Sequence, residues 1–330
     1  MIGVSLLSTP EFDAQPSTLA DWLELAAFYS SNRSALLTEM IDQQDLDRDY
    51  EPEDFGDLDE QLEDIVSKVS AEIDCRQHDL NDSYPFSLSQ DGRELLLVEP
   101  WTVGQATYLL CLVLSHSPQS ELVPRESAPS DDQLREARDL FQICSTLAAA
   151  GKTHGPAYSV GWPRVDGSRL LEKLQEIWAV YGDGTLHETP PRGISLHHKD
   201  EGIDVISYWP ERDHRPGIGF LIGQVASGSD WEHKSIRPAL ERFKSWFKDP
   251  PAAPPFPAVF IPFTISDESF SLVTQSHGFV AHRSRLPELA GRAPDLSSKG
   301  VAPIERLGEI SRIFAWLNQH QLHVLESVKS

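Results

Sequence analysis

The sequence predicts an α/β protein, with a mixed central sheet flanked by helices and a mostly helical N-terminal domain before it. Three observations predict this. Apolar residues recur at helical spacing through most of residues 1–150. From residue 155 onward, short β-branched and aromatic runs alternate with helical stripes. The charge divides in the same way: residues 1–150 hold 30 acids and 8 bases, and residues 151–330 hold 21 acids and 20 bases. A length of 330 residues leaves room for two domains. The expected division is an acidic, mainly helical docking or regulatory domain over 1–150 and an α/β domain over 151–330.

The N-terminal elements follow in order. Residues 17–30 place Leu19, Trp22, Leu23, Ala26 and Ala27 on one helical face, with Ser17 as the expected cap. Between Asp42 and Asp64 stand twelve acids and one base, Arg48, which read as a solvated loop leading into a helix over 58–77. Gln90-Asp91-Gly92 between two apolar runs predicts a hairpin within 84–100. Residues 104–116 are apolar nearly all round, the mark of a buried helix. Residues 130–151 predict a helix capped by Ser130 and stopped by Gly151.

The second half alternates. A strand over 155–164 runs into a turn, and Leu170, Leu171, Leu174, Ile177 and Trp178 form one helical stripe that Gly182 ends. Residues 202–210 and 217–226 predict two strands joined by a polar turn. Residues 229–249 predict a single helix capped by Ser229 or Asp230, and the prolines of 250–257 a stiff connector. A strand, a helix over 266–278, a second strand and a basic loop with Arg283, Arg285 and Arg292 follow. A long amphipathic helix is expected over 301–328.

Composition excludes several classes. No apolar run reaches membrane-spanning length, and the first residues lack a basic segment and an apolar core of signal-peptide kind. Cys75, Cys111 and Cys144 have no CxxC spacing, which argues for a reducing, cytoplasmic setting and against a disulfide framework. No GK[ST] follows Gly217-Ile218-Gly219, and no G-x-S-x-G elbow occurs. His197 and His198 are adjacent, so on a strand they would point to opposite faces and could not share a transition metal easily.

The chemistry gathers around Asp204 and Gln224. They stand 20 residues apart on the two consecutive strands. Cutting a phosphodiester near neutral pH calls for a divalent ion that lowers the pKa of water and offsets phosphate charge. Mg²⁺ takes hard oxygens and keeps several waters, so few protein ligands suffice. A nearby lysine can offset developing charge. Each residue also has a plain reading: an acid in a turn, a polar strand end, a solvated helix residue.

Leu171-Glu172 on a helix, Gly202-Ile203-Asp204 on a strand and Gln224-Val225-Ala226 on the next resemble the PD-(D/E)XK nuclease superfamily. The likeness is nearest to Mrr-type restriction endonucleases, whose pattern runs FE, GGID, QxK. It covers roughly residues 165–250. It implies a restriction-endonuclease-like sheet and a Mg²⁺- or Mn²⁺-dependent DNA endonuclease of restriction or anti-phage defence. Asp204 would be the central metal ligand, Gln224 a secondary one, and Glu172 a further metal or water ligand, with Glu176 competing for that place. Ala226 stands where the family has its lysine. Two readings follow: Lys234 has taken over that role, or the site has decayed and the fold serves as an inactive scaffold or binding module. Arg237, Lys244 and Lys248, expected on one helix with Lys234 and Arg242, form a candidate DNA-tracking face. The acidity of the N-terminal half points to weak DNA binding alone, and hence to a protein partner or trigger.

Overall fold

A computed structural model describes residues 6–11, 13–39, 55–117, 120–125, 127–191, 202–213 and 215–327, with backbone only for 55–62 and 327. His197, His198, Asp200, Glu201 and much of the acidic run lie outside the described residues. By internal contacts the chain forms two units, residues 1–137 with 313–330, and residues 138–312. The charge step at residue 150 falls inside a helix. No helix among the described residues is long and apolar enough to cross a membrane.

In the first unit, α1 (Pro16–Tyr29), α2 (Phe55–Leu80) and α3 (Val103–Ser115) accompany a three-stranded antiparallel sheet. Its strands are β1 (Ser34–Leu36), β2 (Phe86–Leu88) and β3 (Glu94–Leu97), in the order β1-β3-β2. The β2–β3 hairpin turns at Gly92, whose φ of +69° suits glycine. Ser17 does not cap α1: Gln15 holds the cap position and Pro16 the first turn, where a missing N–H leaves no bond unmade. Asp21 and Glu24 lie buried on α1 because Arg76 of α2 meets them at 2.7 and 2.8 Å. The hydroxyls of Tyr84 and Tyr108 also donate to Glu24, at 2.7 and 2.8 Å. Removing one member of such a buried set typically costs about 3–5 kcal/mol, because a charge is left uncompensated.

The second unit is built on a five-stranded sheet in the order β10-β9-β7-β6-β4. These strands are β4 (Ala157–Ser159), β6 (Val205–Tyr208), β7 (Phe220–Val225), β9 (Phe256–Phe260) and β10 (Phe279–Ala281). β4, β6 and β7 pair antiparallel, and β7, β9 and β10 parallel. A mixed sheet of this kind answers to the alternation of strands and helices in the sequence. One flank packs Leu174, Ile177 and Trp178 of α5 (Leu170–Tyr181) and Phe243 of α6 (Arg237–Lys244) onto Tyr158, Ile206, Phe220 and Ile222. Gly182 ends α5 in the left-handed region, φ +76°. Against the sheet also lies α4 (Asp131–Thr153), whose Thr153 hydroxyl meets that of Ser207 at 2.6 Å.

Three expectations are corrected. Residues 229–249 are not one helix. Trp231–His233 forms a 3₁₀ turn, α6 begins at Arg237, and β8 (Phe247–Asp249) pairs with β5 (Thr185–Leu186). Pro238 restarts the helix, since proline fits only a first turn. The basic loop after β10 is instead two short helices, α8 (Leu286–Gly291) and α9 (Ala293–Ser298), following α7 (Asp267–His277) and β10. The C-terminal helix, α10 (Ile310–Ser327), starts late. Ahead of it, Ala157 donates to the Pro303 carbonyl at 2.9 Å and Glu305 to the Ala157 carbonyl at 3.0 Å, so this segment covers the β4 edge.

Candidate functional site

The β6–β7 pairing sets the site. Val205 lies opposite Gly223, so Asp204 and Gln224 flank that pair at the same sheet end. The ladder is irregular there: the Asp204 amide donates to the Gly223 carbonyl at 2.9 Å. Asp204 Oδ2 accepts the Val225 N–H at 2.8 Å, in the place a further strand residue would fill. The Asp204 carbonyl accepts Val160 N–H and Gly161 N–H, at 2.7 and 3.1 Å. Backbone bonds on both sides thus hold this aspartate. Gln224 differs. Its Oε1 is buried and has no hydrogen-bond partner among the described residues. A buried unpaired acceptor forgoes about 1–3 kcal/mol and calls for an explanation.

A third element enters from α4. Gln142 Nε2 donates to the Asp204 carbonyl at 2.9 Å and to the Ser159 hydroxyl at 3.3 Å. With its nitrogen committed, Oε1 faces the space over Gly161. A Cβ added to Gly161 would stand 2.9 Å from Asp204 Oδ1 and 3.3 Å from Gln142 Oε1. The missing side chain leaves two oxygens bordering one small cradle. The sequence reading missed Gln142. Phe141-Gln142 was the available signal, an aromatic–polar pair on the helix before β4 with an amide where a carboxylate was sought.

The other expected residues lie elsewhere. Glu172 is exposed and accepts the Arg169 N–H at 2.8 Å, which satisfies the first turn of α5. Glu176 pairs with Lys173 at 2.9 Å. Lys234 leaves the 3₁₀ turn, and its ammonium meets Asp230 at 2.8 Å. It passes 3.9 Å from where a Gly228 Cβ would be, close to the chain leaving β7. The hydrogen bond from Lys234 holds the Asp230 carboxyl below its usual range.

The expected cationic face is not one face. Arg237 donates to the carbonyls of Gln275 and Ser276, at 2.5 and 3.1 Å, closing the end of α7. Lys244 pairs with Glu241 at 2.8 Å, and Lys248 is exposed on β8. Of the arginines after β10, Arg283 is buried, Arg285 lies over the Phe270 ring and Arg292 pairs with Glu288.

A cleft of about 240 Å³ borders Ser159 and is lined by Arg164, Asp166, Lys173, Glu305, Arg306 and Glu309. Its charges neutralise one another. Lys173 meets Glu305 closely, Glu176 at 2.9 Å and Asp166 at 3.6 Å. Burial works against its ammonium, but hydrogen bonds to Glu305 and Glu176 outweigh it and raise the pKa, so Lys173 is a fixed cation and not a base. Arg306 grips Asp139 and Glu309.

Among the described residues, no three His, Cys, Asp or Glu side chains gather as metal ligands. The candidate donors at this sheet end are the Asp204 carboxylate and the Gln142 amide oxygen, which border one space, and the Gln224 amide oxygen on the paired strand. All are hard oxygens. They fit a Mg²⁺-like cation that keeps much of its water, and not tetrahedral zinc. Fold and site together define a mixed α/β protein with an oxygen-lined sheet end. Compared with family models, curated proteins and solved structures, the chain gives no match.

Proposed function

We propose that residues 138–312 form a PD-(D/E)XK-type, Mrr-like domain that hydrolyses DNA with Mg²⁺ or Mn²⁺. The observation that carries this reading is the Asp204 carboxylate and the buried Gln224 Oε1, which has no partner among the described residues, on two paired strands at one sheet end. The mixed order β10-β9-β7-β6-β4 supports a restriction-endonuclease-like fold. Asp204, Gln224 and Gln142 would hold the ion. The ion supplies an acidified water and offsets phosphate charge. The chain's own part is to fix these oxygens. Val225 N–H orients the Asp204 carboxylate, and Gln142 pins the Asp204 backbone. Lys234 exchanges exposed Asp230 for a substrate phosphate, adding positive charge where negative charge develops. Glu172 has no role at the reacting atoms in this reading. The setting is restriction or anti-phage defence in the cytoplasm. A protein partner on the acidic N-terminal half brings the chain to DNA, since that half repels it.

The test is plasmid cleavage with Mg²⁺ or Mn²⁺ by the full chain, alone and in lysate carrying its native partners. Asp204→Asn keeps an acceptor for Val225 N–H and removes the charge. It should fold as wild type and cleave at least about a hundredfold more slowly. Equal rates for the two proteins, or no cleavage in either setting, refute the reading. The Lys234–Asp230 pair, with Ala226 where the family lysine belongs, favours a second reading, an inactive nuclease-fold scaffold. Absent cleavage together with partner capture by wild type and Asp204→Asn alike would support it.

A further inference from the structure

We infer that Trp162 is a stacking platform for an unpaired nucleobase beside Asp204, so that the substrate is single-stranded or locally opened DNA. The inference rests on the phosphodiester reading above and deepens it.

Trp162 is about half exposed, at 49%, whereas the other seven tryptophans are buried or partly buried. It follows Gly161 directly. Gly161 N–H donates to the Asp204 carbonyl at 3.1 Å, and its missing Cβ borders Asp204 Oδ1. Trp162 is therefore the next residue after the glycine that borders the Asp204 carboxylate. The Arg164 guanidinium lies over its ring, 5.4 Å from the centroid. Arg164 is itself buried and anchored, donating to the carbonyls of Val160 at 2.6 Å and Ser168 at 2.8 Å. Pro163 stiffens the chain between them. The ring is thus supported by a fixed cation and still presents half its surface to solvent.

A single flat π surface backed by a cation suits one planar aromatic ligand. Next to a phosphodiester site that ligand is a nucleobase of the bound strand. A base in an intact duplex already stacks on both faces, so the platform favours an unpaired one. The neighbouring cations, Lys173 and Arg306, are matched by carboxylates and add little non-specific attraction for duplex backbone.

The test uses the full chain in EDTA, titrated to high concentration because binding without a partner is weak, and measures anisotropy of a labelled 20-nucleotide single strand and of the matching blunt duplex. Trp162→Ala should weaken single-strand binding about tenfold, the scale of one base–aromatic stack, and change duplex binding less than twofold. Trp162→Phe should restore most of the loss. The ring is exposed, so both variants should melt as wild type does. As a check independent of the alanine variant, the single strand should quench tryptophan emission in wild type and not in Trp162→Phe. No single-strand binding by wild type, or Trp162→Ala binding within twofold of it, overturns the inference. Cleavage is scored separately through Asp204→Asn. If that variant matches wild type while Trp162→Ala loses the single strand, the nuclease reading fails and the stacking platform stands.

Discussion

Acid should weaken the first unit through one histidine. His320 on α10 is 1% exposed, stacks on Trp316 at 5.0 Å and places Nε2 2.9 Å from the Tyr29 hydroxyl. Burial, helped by His323, lowers its pKa from 6.5 to about 4. Burial also raises the Tyr29 pKa, so the phenol stays protonated and shares a hydrogen bond with the neutral ring. The folded value lies below the unfolded one. The stability tied to the neutral ring is therefore fully present above pH 6.5 and is lost as pH falls toward 4. A gap of about 2.5 pH units corresponds to about 3 kcal/mol. Other groups titrate in the same range, so the measurement is a difference. Urea unfolding of wild type and His320→Gln, followed at pH 7, 6, 5 and 4, isolates this one. Glutamine offers Tyr29 both a donor and an acceptor and does not titrate. It should be the less stable protein at pH 7, and the gap should shift in its favour by about 3 kcal/mol by pH 4. A difference that stays constant across the series would refute the assignment of a neutral buried ring.

Two substitutions probe the sheet end. Gly161→Ala places a methyl against Asp204 Oδ1 and Gln142 Oε1, so one of these held side chains must turn. It should cost only about 1–3 kcal/mol in thermal unfolding, yet lower cleavage at least tenfold by displacing the carboxylate. Gln224→Leu removes a buried oxygen that has no partner among the described residues. Calorimetry should find stability unchanged or raised by about 1 kcal/mol, while cleavage falls. A clear loss of stability would mean that this oxygen is already bonded.

The strands that frame the site were legible because each is a short β-branched or aromatic run closed by turn residues, as Val205–Tyr208 and Phe220–Val225 are. The placement of Asp204 and Gln224 at one sheet end followed from two such runs joined by one turn. The segment 229–249 misled for a physical reason. Phe243, Trp246 and Phe247 all enter one core, so the apolar pattern runs on although the backbone changes from helix to strand. Glu172 looked catalytic because an acid at the start of a helix has the same spelling whether it caps a turn or binds an ion. Gln142 was hidden by distance. It meets Asp204 across 62 residues, and periodicity reports which face a residue occupies, not what it touches.

The first unit is split in the chain: its last piece, residues 313–330, follows the whole of the second unit. Gln321 donates to the Phe28 carbonyl and His320 bonds Tyr29, so α1 waits for partners nearly 300 positions downstream. On the ribosome α1 must remain unsealed until the whole second unit has been translated. A gene truncated near codon 150 should yield a sticky, half-finished fragment rather than an isolated regulatory module, and trials of the acidic half by itself are better made with α10 fused back on.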